Sequence, residues 1–264
     1  MNLLCQRLNL TSLEAQLPAL LDAARVQQLS YEAFLELALT TEVAGRQQRA
    51  QERRLRAARL PFPARLDSFD FRFQPSVSER LMRELASLAF LQTATNVLLL
   101  GPPGVGKTHL ACSLAVAALE AGQSALFVTL RDLAQQLSAA PPRGGRAALA
   151  RYSQPTLLII DEIGYSNLSE DQAHGLFDLV AARYQRRSTI LTSNLTFAEW
   201  GNLLGDVVLA TALLDRLLHH AEVVAINGRS YRMRQRMRAD QTEVGLRGGN
   251  GIGADEPLGN ILAQ

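Results

Sequence analysis

The sequence predicts an α/β protein: a parallel sheet between helices, preceded by a small all-helical N-terminal domain. Three observations carry that prediction. Residues 1–65 place their leucines at helical spacing and contain no strand-like run. From Asn96 onward, short apolar runs alternate with longer amphipathic segments, the pattern of a parallel sheet with helices on both faces. Between the first apolar run and the helix after it lies a loop with the spacing G-x-x-x-x-G-K-[ST].

Leu13, Leu17, Leu20 and Leu21 follow one helical face, and Phe34, Leu35 and Leu39 another that Ser30 is placed to cap. Pro61 and Pro63 then mark a linker. Ser76-Val77-Ser78-Glu79 has capping-box form and predicts a helix over 77–92. Asn96–Leu100 reads as a buried strand, and 109–122 as a helix with apolar Leu110, Leu114 and Ala118, stopped by Gly122. Further strands are expected at 124–129, 156–160, 188–192 and 222–226. Helices are expected at 170–186, with Ser169 as cap and Gln172 at the box position, and at 206–221. Thr196-Phe197-Ala198-Glu199 is another capping box. The segment 130–154 exceeds a simple crossover helix, and Pro141-Pro142 splits it into two helices. Three regions follow: a helical domain over 1–65, an α/β domain over 66–238, and a tail over 239–264 whose six glycines and few apolar residues predict disorder.

Composition narrows the function. The chain is 47% hydrophobic, enough for a core, and its two cysteines, Cys5 and Cys112, exclude a disulfide scaffold and fit a reducing compartment. No stretch reaches membrane-spanning length and no secretory leader is evident, so a cytoplasmic protein with no membrane partner is expected. Net charge is only +2, yet seven arginines face one acid, Glu52, between Gly45 and Arg65, and five arginines fall between Arg229 and Arg238 with no acid. Such asymmetry points to an anionic partner.

Of the 27 lysines and arginines, one is lysine: Lys107, in Gly101-Pro102-Pro103-Gly104-Val105-Gly106-Lys107-Thr108. Loops of this spacing cradle phosphates with backbone N–H groups. The lysine is a compact charge between β- and γ-phosphates, a role the flat arginine fork fills poorly, and Thr108 offers its hydroxyl to Mg²⁺. Leu157-Leu158-Ile159-Ile160-Asp161-Glu162 is an apolar strand ending in two acids. Either acid alone would pass for a strand-ending surface group. Downstream of a phosphate loop, Asp161 is expected to reach Mg²⁺ and Glu162 to polarise the attacking water. Asn194 ends the next strand, where a polar side chain holds that water against the γ-phosphate. An arginine late in such a domain, here Arg216, reaches a neighbouring subunit's γ-phosphate, and Arg232 is a candidate phosphate sensor in its own chain. A guanine-reading N-K-x-D motif needs a second lysine, which the chain lacks, and no transporter-type L-S-G-G-Q segment occurs.

This motif order resembles the AAA+ ATPases, and more finely the IstB-like helpers of insertion-sequence transposition, whose relatives are the DnaC-type helicase loaders. The resembling stretches run from Gly101 through His109-Leu110, then Asp161-Glu-Ile-Gly-Tyr165, Thr192-Ser-Asn-Leu195, Phe197-Ala-Glu-Trp-Gly201, Leu213-Leu-Asp-Arg-Leu-Leu-His-His220 and Gly228-Arg-Ser-Tyr-Arg232. The resemblance spans about 8–236, and its specific part is the Asp-Arg-Leu-Leu-His-His and Ser-Tyr-Arg stretches. It implies an AAA+ core binding ATP and Mg²⁺, His109 beside the nucleotide, Asn194 as sensor, Arg216 as a finger acting in trans and Arg232 as second sensor. Arg216 and Arg232 lie too close in sequence to hold a full helical lid domain.

Arg46, Arg49, Arg53 and Arg56 form one stripe on a helix, flanked by Arg54 and Arg59. An unpaired arginine stripe fits contacts to DNA phosphates, which confer affinity without sequence information. The resemblance further implies that the 130–154 segment faces DNA, adding Arg131, Arg143, Arg146 and Arg151; two ordinary packing helices fit the sequence equally. The expected protein is a homo-oligomeric ATPase that grips double-stranded DNA for a transposase. The alternatives are a helicase loader, and a DNA-architectural module in which hydrolysis is incidental.

Overall fold

A computed structural model describes residues 2–138 and 145–234. The expected tail over 239–264, Pro141-Pro142 and Arg143 lie outside the described residues, as does the side chain of Arg146.

Three helices open the chain: α1 (Asn2–Arg7), α2 (Thr11–Gln27) and α3 (Tyr31–Ala58). Ser30 caps α3 as expected, its hydroxyl accepting from the Ala33 N–H. Two short helices follow, α4 (Glu79–Ala86) and α5 (Ala89–Gln92), where one helix over 77–92 was expected. Leu88 separates them at φ +66°, a left-handed conformation that ends α4. The cap of α4 is Ser78; the Ser76 hydroxyl instead accepts from the Asn227 N–H at 2.9 Å.

The α/β region then runs β1 (Asn96–Leu100), α6 (Lys107–Glu120), β2 (Ala125–Thr129), α7 (Leu130–Ser138), α8 (Gly145–Ser153), β3 (Leu157–Ile163), α9 (Glu170–Arg183), β4 (Ser188–Ser193), α10 (Trp200–Leu204), α11 (Val207–Leu218) and β5 (Ala221–Ala225). The five strands are parallel, in the order β2-β3-β4-β1-β5. Strand alternation splits the core into two layers. Val97, Leu99, Leu157, Ile159 and Ile190 pack with α6 and α4, while Leu98, Leu158, Ile160 and Leu191 pack with α7, α9 and α11. Each fully buried leucine contributes about 2 kcal/mol through apolar area removed from water.

Two local structures bear on the site. Ala58 at the end of α3 is wholly buried in the first layer, so the helical arm packs against the α/β body. Within 130–154 the described residues form two helices, and both pack on the body: Leu130, Leu133 and Tyr152 are buried in the second layer. Arg183 fixes their return to β3. It is buried with no ion pair to an acid among the described residues, and donates to the carbonyls of Tyr152, Ser153, Pro155 and Ser188 and to the Thr189 hydroxyl. Burial pushes its pKa down to about 9.

Candidate nucleotide site

The site lies where β1, β3 and β4 end at the N-terminus of α6, the edge of an open parallel sheet where ligands collect. The loop from Gly101 to Thr108 leaves β1 and enters α6 through Gly106 at φ +103°. Glycine is required there twice over: the angle is left-handed, and a Cβ would lie 2.6 Å from the Phe69 ring. The Lys107 Nζ donates to the carbonyls of Gly101 (2.6 Å) and Pro102 (2.8 Å), holding it over the loop. Burial pushes its pKa down, the Asp161 carboxylate opposes this, and Arg232 adds to the depression.

Asp161 is buried, and its carboxylate accepts from the Thr108 hydroxyl, 3.0 Å from either oxygen, and from the Thr192 hydroxyl. Thr192 in turn accepts the Glu162 N–H at 3.1 Å. Adjacent strand residues ordinarily point to opposite faces, yet both acids line the same cavity. An irregularity in β3 resolves this. Ile160 pairs with Leu191 and Ile163 with Ser193, so β3 carries one more residue than β4 across that step. Glu162 takes up the excess at φ +64°, as in a bulge that re-aims side chains beside a site.

The cavity also takes in Asn194, His109, Arg232 and the loop from Pro103 onward. Asn194 has a buried Oδ1 with no hydrogen-bond partner among the described residues. His109 faces away from the loop as well as into the cavity: its Nε2 is 3.1 Å from the Ser68 hydroxyl and 3.3 Å from the Arg65 carbonyl, so it ties α6 to the linker. Arg216 does not line this cavity. It is half-buried on α11, 4.6 Å over the Phe177 ring, with its Nη1 donating to the Ala212 carbonyl.

Sequence reasoning missed one whole wall. The linker residues Phe62, Phe69, Asp70 and Gln74, together with Tyr231, line the cavity. They are laced to the segment 226–234: Gln74 Nε2 donates to the Arg229 carbonyl (2.8 Å), Arg234 pairs with Asp70 (2.9 Å) and stacks 4.6 Å from the Phe73 ring. The Tyr231 N–H then donates to the Gly104 carbonyl at 2.9 Å, seating that segment on the phosphate loop. The one available signal was aromatic density, four of nine phenylalanines falling within 62–73.

The arginine stripe is not uniformly unpaired. Arg46 and Arg49 both pair with buried Glu42, at 2.8 and 3.2 Å. Arg46 also donates to the carbonyls of Leu8 and Asn9, and Arg49 to the Ser12 hydroxyl. These two staple α3 to the helices before it, because a buried carboxylate needs cations. Arg53, Arg56 and Arg59 are exposed, while Arg54 is partly buried with an unpartnered Nε. Arg131 and Arg151 are exposed on α7 and α8. Among the described residues no helix is long and apolar enough to cross a membrane, and no cluster of His, Cys, Asp and Glu suggests a further metal.

The family model of the IstB-like ATP binding proteins matches residues 4–239. The chain belongs to this family. It is 45% identical over 240 residues to a protein of insertion sequence IS21 from Pseudomonas aeruginosa that is named for ATP binding, covering 90% of this chain and 91% of that one. A counterpart in IS5376 of Geobacillus stearothermophilus is 43% identical over 233 residues, covering 88% and 93%. Two solved structures share the fold of this IstB-like chain. DnaI superposes with a TM-score of 0.54 at 20% identity, over 62% of this chain and 91% of that one. An AMPPCP-bound DnaA from Aquifex aeolicus superposes with a TM-score of 0.52 at 21% identity, over 71% and 57%. The fold shared with these structures thus agrees with the parallel α/β core that the resemblance implied.

Proposed function

We propose that this chain is a magnesium-dependent ATPase of the cytoplasm that oligomerises on double-stranded DNA and presents that DNA to the transposase of its own mobile element. One observation carries the reading: a phosphate loop, a buried aspartate with no ion pair among the described residues, and a glutamate at positive φ converge on one cavity. The insertion-sequence relatives, matched along nearly their whole length, favour a transposase over a helicase as the partner. A purely architectural DNA module has no use for Glu162 at φ +64°.

The residues present fit ATP with Mg²⁺. Loop N–H groups and the Lys107 ammonium bind the phosphates, the lysine exchanging its loop carbonyls for phosphate oxygens. The Thr108 hydroxyl and Asp161 carboxylate, an all-oxygen pair suited to a hard cation, would hold Mg²⁺. The ion, when bound, screens phosphate charge. Glu162 takes a proton from the water that attacks the γ-phosphorus, the bond to the β,γ-bridging oxygen breaks, and ADP leaves with that oxygen. The orphan Oδ1 of Asn194 accepts from that water and positions it. Arg232 meets the phosphates from the same chain, while Arg216 of a neighbouring copy completes the site once protomers assemble. Exposed Arg53, Arg56 and Arg59, with Arg131 and Arg151, bind DNA phosphates without reading bases.

ATP turnover with and without non-specific duplex DNA tests this, for wild type, Lys107→Ala and Arg216→Ala. DNA-stimulated hydrolysis lost in both variants is the expected result. Turnover indifferent to DNA, or untouched by Arg216→Ala, would sink the assembly on DNA.

A further inference from the structure

Arg183 and Arg216, on the adjacent helices α9 and α11, are held in opposite ways. Arg183 is saturated: its Nε, Nη1 and Nη2 all donate to oxygens of their own chain, and nothing is left for a ligand. Arg216 is held but not saturated. Its Nη1 donates to the Ala212 carbonyl at 2.8 Å, and its guanidinium carbon lies 4.6 Å from the centre of the Phe177 ring on α9. Among the described residues Nε and Nη2 have no acceptor and the side chain has no acid partner. A cation over a ring face is attracted by the ring quadrupole without using an N–H group. This contact therefore restrains the guanidinium and leaves most of its donors free. Both supports are firm. α9 opens on a complete capping box between Ser169 and Gln172, and its Leu176, Leu179 and Val180 are buried. Leu213 and Leu217, on either side of Arg216, are buried in the same core layer. Phe177 itself is only partly buried and does not line the nucleotide cavity of its own copy.

We propose that Phe177 is a positioning residue for ATP hydrolysis in the neighbouring copy, acting through Arg216. The proposal rests on the trans-acting role of Arg216 given above and extends it to the residue that aims that arginine. A long side chain that moves freely loses its rotamer freedom each time it engages a phosphate. One already held against a ring loses less and arrives in a set direction. An arginine parked away from its target would instead have its donors occupied, as those of Arg183 are. The operative feature is the aromatic face rather than apolar bulk, so tyrosine should serve at this position and leucine should not.

Mixed oligomers of the full chain, on non-specific duplex DNA with Mg²⁺ and ATP, test this. Arg216→Ala keeps its own nucleotide site but offers no finger. Glu162→Gln binds ATP and offers Arg216 but cannot activate water. Each alone should be nearly inactive, and mixing them should restore turnover wherever a Glu162→Gln copy serves an Arg216→Ala site. Phe177→Leu is then added to one partner at a time. In the Glu162→Gln partner it should lower the restored turnover roughly tenfold, in kcat with KM for ATP unchanged. In the Arg216→Ala partner, where no arginine rests on the ring, it should change nothing. Phe177→Tyr in the Glu162→Gln partner should retain the turnover. Equal loss in both partners would overturn the proposal, making Phe177 a packing residue of α9. No loss in the Glu162→Gln partner, or a gain, would overturn it too. Phe177→Met, ring-free and flexible enough to fill the same gap, repeats the comparison if the leucine variant melts below wild type. Failure of the starting pair to restore any turnover would defeat the trans-acting reading of Arg216 itself, and the proposal with it.

Discussion

Two buried carboxylates, one in the helical arm and one in the nucleotide cavity, meet opposite fates. Glu42 is 3% exposed and Asp161 4%. Glu42 is closed by its own chain: Arg46 and Arg49 pair with it, and the Ser12 and Leu13 N–H groups donate to it at 2.8 and 3.0 Å. Burial alone would raise its pKa, but these partners hold it below the ordinary value of 4.5. Asp161 receives two threonine hydroxyls and, among the described residues, no cation within ion-pair distance. A buried carboxylate closed by ion pairs belongs to the architecture; one that has no ion pair among the described residues and opens on a cavity points to a ligand.

The contrast is sharpest beside Asp161. Glu162→Gln removes the proposed base while keeping size and shape, and should lower the rate of ATP hydrolysis about a thousandfold, with ATP affinity retained. Single-turnover kinetics beside a binding titration would separate the two effects. Asp161→Asn should lower Mg²⁺-dependent hydrolysis about a hundredfold or more. Yet the ligand-free protein should melt no lower than wild type, because an uncompensated buried charge has been removed. A clear fall in melting temperature without ligand would break the comparison.

Glu42→Gln should behave in the reverse sense, destabilising the protein by about 2 kcal/mol and leaving nucleotide affinity alone. Denaturant unfolding followed by helical signal reads this. The acid response has a defined sign. A carboxylate whose pKa is lowered on folding stabilises at pH values above 4.5, and that contribution is lost as pH falls through the depressed value. The stability gap between wild type and Glu42→Gln should therefore narrow below pH 4.5.

The smallest effect concerns the rest of the stripe. Arg53→Gln with Arg56→Gln should change stability by less than about 0.5 kcal/mol, both side chains being exposed. If they contact DNA as proposed, duplex affinity should fall and the slope of log K against log salt should drop by about 2. Arg46→Gln should do the opposite, weakening the fold through Glu42.

These differences explain what was legible in the sequence. The phosphate loop and the Asp161-Glu162 pair were readable because their chemistry is contiguous in the chain, and the strands around them because four aliphatics in a row have few other uses. The extra residue in β3 was not readable, since nothing in Ile160-Asp161-Glu162-Ile163 marks a left-handed glutamate. The wall around Gln74 was hidden for a different reason. Its partner Arg229 lies 155 residues away, and no local pattern encodes such a contact. Arg46 and Arg49 were misjudged as unpaired because Glu42 sits outside the basic stretch that drew attention to them, although its i,i+4 spacing to Arg46 was on view. The break at Leu88 escaped because leucine is a poor occupant of positive φ.

The linker that covers Gly106 with Phe69 makes the protein hard to divide. A fragment beginning at Val77 would retain every motif residue from Gly101 to Arg232, yet it would lack Phe62, Phe69, Asp70 and Gln74 and would leave the 226–234 segment without its clasp. Removing the helical arm with its connector therefore also dismantles the nucleotide cavity. A deletion of that kind scores two losses at once, and only point substitutions on the exposed face of α3 isolate what the arm itself holds.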